Sequence, residues 1–68
     1  MTKDYNIYIY CIQTRFQKVC NRFIGLPNDP TNRRLLNESL KIEAERLSQE
    51  FNTNVQPPKI NEASFNDI

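Results

Sequence analysis

The chain has 68 residues, of which 25% are charged and 38% hydrophobic, and a formal net charge of +1. This length allows one domain that buries only roughly 60% of its unfolded surface, so help from a partner chain is expected. No run of about 18 apolar residues is present to cross a membrane. The start, Met1-Thr2-Lys3-Asp4-Tyr5, lacks a small-residue cleavage site and carries an early acid, so no secretory signal is expected and a cytoplasmic protein is the default.

The first third carries the strongest pattern. Tyr5, Ile9, Ile12, Phe16, Val19, Phe23 and Leu26 recur at alternating spacings of four and three, the seam of one helix packed against another. Asp4 stands where its carboxylate would favour the positive end of that helix. By propensity alone, Tyr5 to Ile12 reads as a strand, because aromatic and β-branched residues dominate it. The seam nevertheless runs through this stretch without a change of phase or a turn residue, which predicts helix. Cys11 and Cys20, nine residues apart on such a helix, would lie about 13 Å apart, too far for the roughly 4.4–6.8 Å a disulfide requires. They read as small buried hydrophobes.

Gly25, Leu26 and Pro27 predict the end of this helix: a left-handed residue, a folded-back hydrophobic contact and a residue that forbids continuation. Asp29 reads as an N-cap with Pro30 at the first helical position. A second helix is expected over 30–51, with Leu36, Leu40, Ala44, Leu47 and Phe51 facing the first, and Leu35 and Ile42 flanking that stripe. Glu38, Lys41, Glu43, Glu45, Arg46 and Glu50 predict a mixed, solvated face. Asn52-Thr53-Asn54 closes the helix, and Pro57-Pro58 prevents its resumption. The polar tail beyond predicts an extended or disordered segment. Its isolated hydrophobes Ile60, Phe65 and Ile68 allow the alternative of a docking segment, entering pockets on a partner or on the hairpin itself.

Catalytic chemistry finds few candidates. The chain has no histidine and one glycine, so a histidine base and a glycine-rich phosphate loop are excluded. Two thiolates leave half a zinc tetrahedron empty. The sequon Asn37-Glu38-Ser39 lies inside the second helix and reads as chance. Arg15, Lys18 and Arg22 form a stripe at i, i+3 and i+7, and Arg33 and Arg34 open the second helix, so a basic patch near the hinge is expected. Residues 1–41 hold seven cations against Asp4, Asp29 and Glu38, which adds to that asymmetry. Tyr8 and Tyr10 lie off the seam and Ile7 nearly opposite it, leaving apolar surface that two helices alone do not cover.

Ser48-Gln49-Glu50-Phe51-Asn52 resembles the Ser-Gln-Glu-Leu-Asp signature of the small helical-hairpin phosphatases that act on sporulation response regulators in bacilli. That resemblance spans five residues, has Asn52 where the signature has Asp, and implies a phosphatase of response regulators as a third reading. Pro27-Asn28-Asp29-Pro30 resembles the Pro-x-Asp-Pro hinge of type III secretion needle subunits. The long C-terminal helix of those subunits is replaced here by the Pro57-Pro58 tail.

The expected fold is all-α: a two-helix antiparallel hairpin, about 4–24 and 30–51, within a hairpin domain 1–55, followed by an extended or disordered tail 56–68. Dimerisation into a four-helix bundle, or a partner protein, is expected to complete it. The expected function is a small non-enzymatic interaction module, a regulator, inhibitor, adaptor or small subunit. Its apolar contacts would come from Tyr5, Tyr8, Ile9, Tyr10, Ile12, Phe16, Ile60, Phe65 and Ile68. No cofactor, metal, membrane or small-molecule substrate is expected. The alternative is a nucleic-acid-binding dimer using Arg15, Lys18, Arg22, Arg33 and Arg34, either as a hairpin or with residues 5–12 as a strand pairing with its twin.

Overall fold

In the computed structural model, the backbone is described from Thr2 and the side chains from Asn6. The seam and the capping residues produce three helices: α1 (Thr2–Asn21), α2 (Pro30–Glu50) and the short α3 (Glu62–Asn66). No strand occurs among the described residues. The strand-prone stretch is therefore helical, because the aromatic and β-branched groups of α1 find a helix to pack on and packing outweighs propensity. The expected roles of the Asp4 and Tyr5 side chains fall outside the described ones.

The hairpin is antiparallel, as its cross-contacts show. Val19 meets Leu36 and Leu40 near the hinge, and Tyr8 meets Phe51 edge-on at a ring separation of 5.1 Å at the far end. The core divides in two. Val19, Cys20, Leu36, Leu40 and Phe65 form one cluster, and Ala44, Leu47 and Val55 the other. Phe16 packs against both and joins them. The molecule is elongated, 41 × 19 × 16 Å, as one hairpin with a strap on its side should be.

α1 ends at Asn21, three residues before the expected boundary. The chain then tightens into i→i−3 turns, with the Phe23 N–H donating to the Cys20 carbonyl at 2.9 Å and the Leu26 N–H to Phe23 at 3.2 Å. Gly25 takes a positive φ of 86°, the torsion foreseen for it. Leu26, expected to close the seam, is instead exposed, because the turn carries it away from α2. Asp29 caps α2 as expected: its carboxylate accepts the Asn32 N–H at 2.8 Å, with Pro30 following. Asp29→Ala should cost about 1 kcal/mol, read as a lower urea midpoint with an unchanged slope.

α2 ends in a turn that reverses the chain. The Thr53 N–H donates to the Ser48 carbonyl at 3.0 Å and the Asn52 N–H to Gln49 at 3.4 Å. Asn52 sits between them in the left-handed region at φ 51°, the pattern that terminates helices with a single left-handed residue. Residues 52–61 then run back along α2 without regular structure. Pro57-Pro58 keeps them extended until Asn61 and Ser64 form a reciprocal capping box that starts α3. The expected tail is thus extended up to Asn61 and ends in the short helix α3.

Candidate interaction surface

The tail hydrophobes are settled on the hairpin's own surface. Phe65 is 3% exposed and belongs to the core cluster, with Ile60 and Ile68 packed against it. Of the two docking targets left open for Ile60, Phe65 and Ile68, the structure has them on the hairpin. Three polar clips fasten the same segment. Ser48 Oγ accepts the Val55 N–H at 2.9 Å, and the Asn28 amide donates to the Glu62 carbonyl at 2.8 Å. Between them, the Asn37 amide holds both main-chain groups of Ile60, accepting its N–H and donating to its carbonyl, each at 2.9 Å. The side chain of the sequon therefore has a structural task.

One member of the expected basic patch is drawn into ion pairs. Arg15 crosses to α2, where Nε donates to Glu43 Oε2 at 2.8 Å and Nη1 to Glu50 Oε1 at 3.0 Å. The hydrogen bond to Glu50, then the bond and charge of Glu43, hold the Arg15 guanidinium above its ordinary pKa against the opposing effect of burial. Glu43 is only 8% exposed, so it does not belong to the solvated face expected for it. It turns inward because Arg15 supplies the counter-charge that makes burial tolerable. Arg33 Nη1 donates to Asn28 Oδ1 at 2.6 Å, holding the hinge amide that receives α3. Lys18, Arg22 and Arg34 remain exposed and Arg33 keeps its charge beside a neutral amide, so of the five cations in the nucleic-acid reading Arg15 is the one seen paired with carboxylates. Arg15→Ala should cost about 2 kcal/mol, less than the roughly 3–5 of a fully buried pair because the Arg15 side chain is 32% exposed and its removal opens Glu43 to water. Glu50→Ala should cost less than about 1 kcal/mol. Paired urea titrations check the order.

The segment 48–52 spans the last turn of α2 and its C-terminal reversal. The Ser48 hydroxyl donates to the Ala44 carbonyl at 2.8 Å while receiving Val55, Glu50 faces Arg15, and Asn52 makes the reversal. Cys20 is buried and Cys11 half-buried, both as free thiols. Burial pushes the Cys20 thiol up from its ordinary pKa, which lowers its thiolate fraction and its reactivity. Cys11 should therefore be alkylated well ahead of Cys20 in the native protein, as mass spectrometry of a timed iodoacetamide reaction would show.

Apolar side chains also remain open to a partner. On α1, Ile7 and Tyr10 face solvent, Tyr10 at 68% exposure. Tyr8, Ile9, Ile12 and Phe16 of the expected contact set are half-buried; Ile12 and Phe16 pack against α2. On α2, Leu35 and Ile42 lie seven residues apart on one line, with Ile42 53% exposed. A depression of about 200 Å³ adjoins Ile42, lined also by Arg22, Ser39, Glu43 and Arg46. Sequence reasoning placed Leu35 and Ile42 beside the stripe and stopped there. Their i, i+7 spacing, outside the set that faces α1, was the available signal.

Among the described residues, no group of three His, Cys, Asp or Glu is placed to hold a metal, and no helix is long and apolar enough to cross a membrane. Comparison with known proteins returns no matching family model, no similar curated protein and no similar solved structure.

Proposed function

We propose that the protein is a small, non-enzymatic protein-interaction module of the cytoplasm, acting as a regulator, adaptor or small subunit. Its contact surface is the pair of solvent-facing apolar strips, Ile7 with Tyr10 on α1 and Leu35 with Ile42 on α2. The observation that carries this reading is their exposure after the tail has already covered the hinge-end core. A chain of this size gains little by leaving these four large hydrophobes in water, besides Ile24 and Leu26 at the hinge, unless another surface receives them. The free state of both cysteines accords with a reducing compartment. A homodimer or a distinct protein would serve equally as the receiving surface.

The test is affinity purification from the native host with quantitative mass spectrometry, using the wild type, an Ile7→Asp/Tyr10→Asp variant and a Leu35→Asp/Ile42→Asp variant. Circular dichroism first establishes that each variant folds. A stoichiometric protein partner, or a second tagged copy, should be retained by the wild type and lost at least tenfold with one of the two variants, since each buried anchor of an interface is worth about 1–2 kcal/mol or more. Equal recovery by all three removes the proposal.

A further inference from the structure

The tail's polar contacts and its deepest core contact lie between residues 28–48 or α1 on one side and residues 55–68 on the other, with Phe23 and Phe51 packed against the same clusters. Asn28 binds Glu62 and Asn66, Asn37 binds Ile60, Ser48 binds Val55, and Phe65 enters the Val19, Cys20, Leu36 and Leu40 cluster. Only Asn52, Thr53 and Asn54 link the two sides. Their reversal rests on Asn52 at φ 51°, a torsion that disfavours every residue with a side chain, though asparagine least. The strap is also loosely flanked. Open grooves of about 540 Å³ and about 320 Å³ border residues 54–59, so little lateral packing resists its departure.

We propose that residues 55–68 are an exchangeable arm, which opens at Asn52 and seats in the same α1–α2 groove of a second copy. If Asn52 takes ordinary helical torsions, α2 extends outward and the arm is carried away from its own hairpin. Each contact named above then reforms between molecules. Reciprocal exchange closes into a two-fold dimer, since the arm and its seat are identical in both copies. The exchange relieves the left-handed residue in both chains, and it sacrifices none of the named contacts. It involves a different surface from the exposed strips of the proposed interaction module, so each proposal stands or fails separately.

The experiment uses the full chain and two substitutions at one exposed position. Asn52→Val disfavours the left-handed torsion more strongly, and Asn52→Gly removes its cost. Sedimentation equilibrium reads the mass against the 8.1 kDa monomer, while Cys20 alkylation and hydrogen exchange at the Ile60 amide read whether the arm is seated. Asn52→Val should dimerise with a dissociation constant at least about tenfold below that of the wild type, with Cys20 and Ile60 still protected. Asn52→Gly should shift the balance toward monomer. A monomeric Asn52→Val, whether its arm is seated or released, overturns the proposal, and so does a dimer with an exposed Ile60 amide. If Asn52→Val does not fold, Asn52→Ala is held to the same outcomes.

Discussion

Phe65→Ala should release the tail and cost about 3 kcal/mol. Phenylalanine truncation in a core loses roughly 3–5 kcal/mol from transfer and cavity terms together. Phe65 is 3% exposed and meets four core residues from both long helices, so it belongs in that range. The loss has a ceiling, however. Once it exceeds the free energy that docks the tail, the tail detaches, and further weakening no longer registers in global stability. The expected signature is therefore local. The Ile60 amide, bonded to Asn37, should lose its protection against hydrogen exchange, and Cys20 should become alkylated rapidly, while α1 and α2 keep their helical circular dichroism. A domain of this length has a total stability of about 3–10 kcal/mol, so a large fraction is at stake. Unchanged Ile60 protection would show that the polar clips hold the tail without Phe65.

Leu40→Ala should cost about 3–5 kcal/mol and, unlike Phe65→Ala, unfold the whole chain. Leu40 is fully buried and lies in the cluster formed by α1, α2 and the tail. No single element can collapse into the void without leaving another, so the cavity term stays near its upper end. Calorimetry should find a melting temperature lowered by tens of degrees, at about 4–8 °C per kcal/mol for a domain of this size. Ile42→Ala, two residues along the same helix but 53% exposed, should change stability by less than about 1 kcal/mol. A comparable loss at both positions would mean that Ile42 is covered in solution, by a second copy or another surface.

The helical hairpin was legible because its signals are local and stereochemical. Gly25, Asp29 and Pro30 each have one backbone task, and the four-three spacing of α1 fixes which side faces α2. The burial of Leu36, Leu40, Ala44 and Leu47 follows from the same periodicity. Even the ambiguous Tyr5–Ile12 stretch resolves on phase, since a period of two would have broken the seam.

Three features were beyond such reasoning, because each depends on residues far apart in sequence. Glu43 reads like its neighbours Glu45 and Glu50 on a charged face, and only its burial beside Arg15, 28 positions earlier, sets it apart from those two exposed carboxylates. Phe65 stands in a polar tail whose composition predicts disorder; its burial depends on a groove that exists only after α1 and α2 have packed. Asn28, Asn37 and Ser48 look like ordinary polar hinge and helix-surface residues until the returning chain supplies main-chain groups for them to bind.

By itself, the sequence determined where the two long helices form, which residues turn the chain between them and which stripe of each meets the other, because propensity, capping and periodicity act within a few residues. Tertiary structure alone decided what covers the hinge-end core, which carboxylates Arg15 meets, and which main-chain groups Asn28, Asn37 and Ser48 bind. Those outcomes are set by surfaces that come into being only when distant segments meet, and no local pattern encodes which surface reaches which residue first.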